Sequence, residues 1–315
     1  MTAGVTVLLS GATSQIGVFV LPMLLKEAFS VIALSRKIEN STSVDNSTSG
    51  GSLRWFNPNT LSSEYSETLL TKVGFLVSCG PIEVAVELLK LCPNIKGLIC
   101  LSTSSVYTKV NSTAEKERHQ IEAILSAEKK LKSLTQVQNI PLLLLRPTLI
   151  YGCGLDENVT RLASLIKRCR FLPVAGKASG LRNPVHAEDL ASLIMNALHS
   201  SPLPNLTSPV CGGGELSYRQ MAAQVFKAAG IKPRILSIPV GFLLFISSIL
   251  QVLPINIGVS RETILRQNRD QVFDDTELRK SLNFDPRGFY PTQKDFVLPD
   301  LARQYLPNSN SSKLV

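Results

Sequence analysis

The sequence predicts an α/β fold, in which a doubly wound parallel sheet is followed by a smaller C-terminal part. Short apolar runs alternate with helix-length segments through the first half of the chain, which is the pattern of parallel βαβ units. The first run, Val5–Leu9, leads through a glycine-containing turn into a helical segment, Val18–Glu27. A chain of 315 residues, 44% of them hydrophobic, also suffices for the core of such a sheet.

The turn between the first strand and the first helix predicts a dinucleotide site. Gly11 permits the sharp turn, and Gly17 lets the helix pack closely on the strand. Ser14 stands where the usual fingerprint has a middle glycine, and it is small enough to let a phosphate approach. Free backbone N–H groups and the positive end of the helix dipole meet at this turn, which favours a diphosphate. A purely structural turn is the alternative.

The end of the second strand bears on the choice of cofactor. This strand, Val31–Leu34, ends at Ser35 and Arg36, where the adenine ribose of a bound dinucleotide would lie. An acidic residue there would bind the ribose hydroxyls of NAD, whereas a hydroxyl and a guanidinium fit a 2′-phosphate. We therefore predict NADP rather than NAD. An arginine that stacks on adenine without contacting the phosphate is the alternative.

The next elements continue the alternation. Residues 38–52 are small, polar and low in complexity, so they are predicted to form a flexible surface loop. Strands follow at Leu53–Phe56 and within residues 74–81, where the second ends in a turn beneath the cofactor. A helix, Ile82–Cys92, leads to another strand, Gly97–Leu101. This order of elements predicts a doubly wound sheet.

Composition excludes several classes of protein. The six cysteines are scattered without a Cys-x-x-Cys pair, which disfavours a disulfide framework and a metal site and suits a reducing cytoplasm. No basic region precedes the first apolar run, so no signal peptide is expected. The net charge of +9 comes from basic residues dispersed among acidic ones, without the aromatic–basic stripe of a nucleic-acid binder. A solvated surface is favoured, and basic clusters facing an anionic ligand are the alternative.

Four segments, taken in order, resemble one family. They are Gly11–Gly17 (GATSQIG), Leu101–Tyr107 (LSTSSVY), Leu145–Gly152 (LRPTLIYG) and Arg182–Ala191 (RNPVHAEDLA). They are similar to the extended short-chain dehydrogenase/reductases, the NAD-dependent epimerase/dehydratase family. Residues 273–286 look like the closing segment of that family, so the resemblance runs through nearly the whole chain.

The resemblance implies a Rossmann-type domain that holds NAD(P) and a C-terminal part that binds a substrate, typically a nucleotide sugar. It also implies that helices near the catalytic motif pair two subunits, as they often do in relatives, so a homodimer is an open alternative. The expected division of the chain is a Rossmann domain of residues 1–170 with 183–200, a substrate-binding part of 171–182 and 201–307, and a disordered tail of 308–315.

The chemistry implied by the resemblance uses a Ser or Thr, a Tyr and a Lys, in which the ionised tyrosine exchanges a proton with a substrate hydroxyl. Thr103 matches the Ser/Thr member. The Tyr-x-x-x-Lys member is missing, because no tyrosine follows Tyr107 until after the next long helix. If Glu128 marks the glutamate that usually follows that motif, Gln120 and Ile124 occupy the Tyr and Lys places. Neither can exchange a proton in this way.

Three functions remain open at this stage. The first is an enzyme with altered machinery, acting with NADP on a sugar or a related carbonyl substrate. The second is a non-catalytic redox sensor or scaffold that binds NADP, and the third is a vestigial fold that works through protein contacts. The predicted catalytic residues are Thr103, Ser105 and Tyr107.

The predicted substrate contacts lie in the second half of the chain. Arg182 matches the arginine before the family's Val-His segment, and its guanidinium could clamp a diphosphate in bidentate fashion. Arg266 is a second candidate clamp, and Asn158 stands where a substrate-contacting asparagine is expected. Surface salt bridges are the alternative for both arginines. The residues predicted to bind the cofactor are Gly11, Thr13, Ser14, Gln15, Ile16, Gly17, Ser35, Arg36, Cys79, Gly80, Pro81, Ser102 and Pro147.

The most apolar run of the chain is Ile235–Ile257. Between Pro239 and Pro254 it holds fourteen residues, fewer than the roughly 20 that a helix needs to span a bilayer. The two prolines suit a helix start and a helix end. We expect a buried helix of the C-terminal part. Attachment of residues 239–253 to a membrane surface and a dimer contact are the alternatives.

Overall fold

A computed structural model of the chain describes residues 5–36, 38, 46–47, 51–61, 68–245 and 261–307. Most of the predicted 38–52 loop, the second half of the apolar run and the predicted tail at 308–315 lie outside the described residues. The strands are β1 (Thr6–Ser10), β2 (Ser30–Leu34), β3 (Asn46–Ser47), β4 (Ser52–Phe56), β5 (Val73–Ser78), β6 (Gly97–Leu101), β7 (Leu142–Pro147), β8 (Ile150–Tyr151), β9 (Leu172–Ala175), β10 (Leu181–Arg182), β11 (Val185–His186), β12 (Leu206–Val210), β13 (Leu216–Ser217) and β14 (Ile235–Ile238).

The central sheet has the strand order β12-β7-β6-β5-β1-β2-β4-β3. Its first seven strands are parallel, and β3 adds an antiparallel edge to β4. The order reverses between β1 and β5, so the carboxyl ends of these two strands frame a crevice, the usual ligand site of doubly wound sheets. The predicted fold class is confirmed.

Helices cover both faces of the sheet, because its parallel strands are apolar on both sides. On one face α1 packs against α6 and α10, and on the other α2 packs against α4. The helices are α1 (Gly17–Lys26), α2 (Ile82–Leu91), α3 (Ser105–Thr108), α4 (Glu115–Val137), α5 (Val159–Cys169), α6 (Ala187–His199), α7 (Tyr218–Ala228), α8 (Arg261–Arg266), α9 (Thr276–Leu282) and α10 (Asp300–Tyr305), with 3-10 turns at Pro58–Thr60 and Gln293–Phe296.

The predicted 38–52 loop is interrupted by regular structure. Asn46 and Ser47 form β3 and pair with Leu53 and Ser52 of β4. β4 therefore begins at Ser52, inside the segment predicted to be irregular. The prediction of a loop is wrong for these residues because a strand at the edge of a sheet pairs through its backbone, which polar composition does not report.

The C-terminal part has a core of its own. It is formed by α5, α7 and the two-stranded parallel ribbon β9–β14, with Ile166, Val174 and Phe226 fully buried at its centre. Helical residues 240–245 follow β14 directly, and Pro239 accepts from the N–H groups of Phe242 at 3.0 Å and Leu243 at 3.1 Å.

The helix predicted after Pro239 begins as expected, but its described part is not buried. Phe242 is 55% exposed and Phe245 is 63% exposed. The prediction of a buried helix is therefore wrong for these residues, because hydropathy reports the character of a segment and not what covers it. Within the described ranges, no helix combines the length and the apolar character that crossing a membrane requires.

Candidate functional site

The turn between β1 and α1 is built around two glycines that have no room for a side chain. Gly11 has φ +68°, and a Cβ there would lie 2.6 Å from the carbonyl carbon of Cys79. A Cβ on Gly17 would lie 2.1 Å from the Gly11 carbonyl oxygen. Ser14 holds the turn, since its N–H donates to the Gly11 carbonyl at 2.9 Å and its Oγ accepts from the Gly17 N–H at 3.1 Å. The two glycines thus let the turn pack directly on neighbouring backbone, which is the close packing of a dinucleotide-binding turn.

The other residues predicted around this turn differ in how they are placed. The side-chain oxygen of Gln15, Oε1, is buried and has no hydrogen-bond partner in the described part of the chain. A ligand could supply the donor that this oxygen lacks. Ile16 packs in the core beneath the turn, and Thr13 is half-buried. Cys79 is buried, which raises the pKa of its thiol to about 12 and keeps it neutral.

The two residues after β2 are not equivalent. Ser35 is buried, and its N–H donates to the Phe56 carbonyl at 3.0 Å. Arg36 is exposed. Of the pair predicted to meet a 2′-phosphate, Arg36 is therefore the one whose side chain is open to a ligand.

A cavity of about 430 Å³ opens at the carboxyl ends of β5 and β6. Gly80 and Pro81 form one wall, where α2 begins, and the hydroxyl residues after β6 form another. Thr103 accepts from the Ser105 N–H at 3.1 Å, which holds this short turn in place. The structure therefore brings predicted cofactor-binding and catalytic residues to one cavity. Those that line it are Gly80, Pro81, Ser102, Thr103 and Ser105.

The opposite wall of this cavity is α4, and it carries no tyrosine. Gln120 and Ile124, the residues in the predicted places of Tyr and Lys, both line the cavity across from Thr103. Lys109 and Glu117 line it as well and form an ion pair at 3.3 Å. On this wall the cavity is therefore lined by an amide, that of Gln120, and not by a phenol.

Tyr107 is held outside that lining by a buried ionic network. Glu128 is 2% exposed and accepts from the Ser102 hydroxyl at 2.6 Å. It also accepts from Arg146 through both carboxylate oxygens, with Nε of Arg146 at 3.0 Å. Nη1 of Arg146 then donates to the Tyr107 hydroxyl at 2.8 Å. Burial alone would lower the pKa of Arg146, but the hydrogen bonds with Glu128 and Tyr107 raise it, so the guanidinium stays charged.

Arg266, at the end of α8, connects the C-terminal part to helix α4. It lines a second cavity of about 160 Å³, next to Lys109 and Glu117. Its Nη2 donates to Glu117 at 2.8 Å. Burial would raise the pKa of Glu117, but hydrogen bonds from Ser112 and Arg266 keep that pKa below its ordinary range. In the structure, then, Arg266 is paired with a carboxylate.

Arg182 is buried and bonded to backbone carbonyls. Its Nη1 donates to the carbonyl of Arg269 at 3.0 Å, and its Nη2 donates to that of Arg266 at 2.5 Å. Burial lowers the pKa of this guanidinium. One of these carbonyls belongs to the last residue of α8 and the other lies three residues beyond it, so Arg182 fixes the end of that helix. The diphosphate clamp stays a prediction, which requires the guanidinium to change partners.

The remaining predicted residues lie at the edges of the site. Asn158 is exposed and precedes α5, and its N–H donates to Asp156 Oδ1 at 3.1 Å. Pro147 is buried at the end of β7, where its carbonyl accepts from the Ser104 N–H at 3.0 Å. Neither side chain lines the two cavities described above.

Sequence reasoning missed three residues at this site. Arg146 was part of a motif, but nothing in the sequence showed that it pairs with Glu128 and contacts Tyr107. Lys109 and Glu117 were not singled out at all. The only sequence feature that pointed to these two residues was their charge near the hydroxyl-rich segment. Charged residues on helices and loops are usually solvated, so this feature is not specific.

Comparisons with known proteins find weak similarity in sequence and extensive similarity in fold. No family model matches it. A Sinorhizobium fredii protein, "Uncharacterized protein y4nG", is 26% identical over 220 residues, covering 67% of this chain and 54% of its own length. A UDP-glucose 4-epimerase from Vibrio cholerae is 26% identical over 99 residues, covering 31% of this chain and 30% of its own length. The chain thus spans about half of the first curated relative and less of the second.

Solved structures resemble nearly the whole chain. UDP-glucuronic acid 4-epimerase from Bacillus cereus, in complex with UDP-glucuronic acid and NAD, has a TM-score of 0.65 at 17% identity and covers 95% of this chain and 99% of its own. The epimerase Mth375 from Methanothermobacter thermautotrophicus has a TM-score of 0.65 at 13% identity and covers 93% and 90%. The resemblance seen in the sequence and the architecture of the structure agree: this chain has the fold of the extended short-chain dehydrogenase/reductases to which the nucleotide-sugar 4-epimerases belong.

Proposed function

We propose that the chain binds a nicotinamide dinucleotide at the Gly11–Gly17 turn and a nucleotide sugar in the adjoining cavity, as an epimerase-like protein with a nonstandard catalytic centre. The observation that carries this proposal is the turn itself, where a Cβ on either glycine would overlap backbone atoms. The atoms that a Cβ would meet belong to the protein's own backbone, so the two glycines allow the close packing of strand, turn and helix that a dinucleotide-binding turn needs. The NAD and UDP-sugar named for the structural neighbours support the two ligand classes.

The chemistry at the cavity is then limited by its residues. A bound nicotinamide supplies hydride transfer. Thr103 and Ser105 offer hydroxyls that can hydrogen-bond a substrate oxygen. Gln120 can orient a substrate hydroxyl but cannot take its proton. Tyr107 remains the candidate proton carrier, but its hydroxyl accepts from Arg146 and its side chain does not line the cavity, so it would have to turn toward a bound substrate.

The second candidate is a redox sensor or scaffold that binds the dinucleotide without turnover. The specific observation in its favour is the occupation of the Tyr and Lys places by Gln120 and Ile124, both in the cavity wall. Under this alternative the cavity holds its ligand and exchanges no proton with it.

A thermal-shift series on the purified protein tests the proposal. NAD, NADH, NADP and NADPH are added singly, and UDP-, GDP- and dTDP-sugars are then added with the cofactor that binds. We expect stabilisation by one cofactor, of about 2.7 kcal/mol at a concentration of 100 times its Kd, and a further increment from one sugar. Conversion of that sugar supports the enzyme, and binding without conversion supports the sensor. No shift with any dinucleotide would contradict both.

A charge reversal at Arg36 tests the choice between NADP and NAD. The structural neighbours are described with NAD, so the case for NADP rests on the residues after β2. If the exposed guanidinium of Arg36 binds a 2′-phosphate, Arg36→Asp should weaken NADP binding by about 1.5–3 kcal/mol, as expected for a charged hydrogen bond, and NAD binding far less. Isothermal titration with both dinucleotides measures the two effects. Arg303→Asp, at an exposed residue of α10, is the matched control.

An unchanged ratio of NADP to NAD affinity in Arg36→Asp would show that Arg36 does not contact the 2′-phosphate. A wild-type protein that binds NAD more tightly than NADP would show that the prediction of NADP is wrong.

A further inference from the structure

The excess positive charge of this chain is confined to two segments. Residues 158–187 contain six Lys and Arg and no Asp or Glu, and residues 216–261 contain five Lys and Arg and again no Asp or Glu. The whole chain has 33 basic and 24 acidic residues, so its remainder carries a slight acidic excess. The net charge of +9 is therefore a local property and not one of the surface as a whole.

The two segments fold together. β9 and β14 pair in parallel, with Pro173 opposite Leu236 and Ala175 opposite Ile238. Helices α5 and α7 pack on the inner face of this ribbon around one hydrophobic core. The folding of the C-terminal part thus gathers basic residues that are up to a hundred positions apart in the sequence.

Most of these cations are exposed and have no acidic partner. Two arginines are engaged inside the protein: Arg182 binds backbone carbonyls, and Arg219 donates to the Ile235 carbonyl. In the part of the chain that the structure covers, no ion pair joins the exposed cations of this unit to a carboxylate. The exposed cations are Arg161, Lys167, Arg168, Arg170, Lys177, Lys227, Lys232, Arg234 and Arg261.

Apolar side chains lie among these cations. Phe171 and Leu236, at the ribbon, are 44% and 53% exposed, and Phe242 and Phe245 extend the apolar area beyond the end of β14. Their neighbours in the chain include Arg170 and Arg234, and the N–H of Leu172 donates to the Arg234 carbonyl at 2.9 Å. We call the set of Arg170, Phe171, Pro173, Lys177, Arg234, Leu236, Phe242 and Phe245 the ribbon surface.

We propose that the ribbon surface docks on an anionic lipid membrane. Exposed phenyl rings gain free energy by entering the boundary between head groups and acyl chains, while Lys and Arg bind the phosphate and carboxylate groups of acidic lipids. The long basic side chains can reach the head groups while the aromatic rings lie deeper. This inference is independent of the proposed ligand site, since the ribbon surface contains no residue of either cavity.

Two other occupants of the ribbon surface, a second copy of the chain and a nucleic acid, fit it less well. A second copy of the chain docked through the same surface would bring like charges together at a symmetric interface, which costs free energy. A nucleic acid would be drawn to the cations, and the exposed phenyl rings could stack on unpaired bases, but Pro173 and Leu236 would gain nothing from such a partner. An acidic lipid surface is complementary to both the cations and the apolar side chains.

Flotation of the full chain with vesicles tests this inference. We expect at least about tenfold more protein on phosphatidylcholine vesicles containing phosphatidylserine than on pure phosphatidylcholine vesicles, and release as salt is raised. Phe242→Ser with Phe245→Ser should reduce binding to the acidic vesicles by at least about tenfold. Arg170→Ser with Arg234→Ser should reduce it by a similar factor. These side chains are exposed, so the variants should fold, which circular dichroism and the cofactor shift verify.

Two control variants match the tests. Tyr290→Ser with Val297→Ser removes apolar groups that are 76% and 53% exposed elsewhere, and Lys129→Ser with Lys130→Ser removes two exposed cations of α4. Both should bind acidic vesicles like the wild type. Equal binding to neutral and acidic vesicles, or full binding by the double Phe variant, would overturn the proposal. A mass measured by light scattering that halves in the double Phe variant, without any change in vesicle binding, would assign the surface to a second copy.

Discussion

Gly17→Val is expected to lower the free energy of unfolding by at least about 3 kcal/mol and to abolish stabilisation by the dinucleotide. The added Cβ would lie 2.1 Å from the Gly11 carbonyl oxygen and 2.8 Å from the backbone of Ala12. Both neighbours are backbone atoms, so the clash cannot be relieved by a change of rotamer. Helix α1 would have to move away from β1, which would open the turn that we propose as the diphosphate site.

Urea unfolding measures the first effect, and a thermal shift with the best dinucleotide measures the second. Gly214→Val is the matched control, because no atom lies within 4 Å of a Cβ built on this exposed glycine. Its stability should stay within about 1 kcal/mol of the wild type, with the cofactor shift intact. A Gly17→Val protein that keeps both its unfolding midpoint and its cofactor shift would show that the turn is not the phosphate cradle.

The fold could be predicted because its signals are local. β1, the Gly11–Gly17 turn and α1 follow one another within a few residues, and each is recognisable from periodicity and glycine placement. The strand order follows from the handedness and shortness of the connections. The observed β2 and β6 match the predicted strands to within a residue.

The interior of the candidate site could be predicted only in part. The positions of Gln120 and Ile124 followed from counting along a motif, and the cavity wall contains both. The contacts of Arg146 depend on how α4 lies against β7, and they join residues 18 and 39 positions apart. Periodicity carries no information on such side-chain pairs.

The apolar run after Pro239 shows a different limit. Its composition predicts burial, yet Phe242 and Phe245 face outward in the structure. Hydropathy measures the cost of leaving a segment in water, and a neighbouring protein or membrane can remove that cost as well as a core can. The basic residues around the ribbon differ, because their two acid-free segments are visible in the sequence and contradict the prediction of dispersed charge; only the pairing of β9 with β14 shows that they lie together.

Glu128→Ala is expected to destabilise the protein by about 3–5 kcal/mol, because it leaves the Arg146 guanidinium buried without its counter-charge. The side chains of Glu128 and Arg146 are 3% and 13% exposed, so water cannot replace the lost carboxylate well. The guanidinium also cannot lose its proton to relieve the cost. Glu87→Ala is the matched control, since it breaks the exposed pair of Glu87 with Lys90 and should change stability by less than about 1 kcal/mol.

The double variant Glu128→Ala with Arg146→Met shows whether the loss of stability in Glu128→Ala comes from the unpaired charge of Arg146 or from the missing hydrogen bonds of Glu128. If the cost comes from an uncompensated charge, removing that charge should restore part of the stability, so the double variant should unfold at higher urea concentration than Glu128→Ala alone. Arg146→Met also removes the donor that holds the Tyr107 hydroxyl. A double variant that regains stability but loses turnover would therefore place Arg146 in the positioning of Tyr107. Additive losses of stability would instead show that the ion pair contributes no coupling between Glu128 and Arg146.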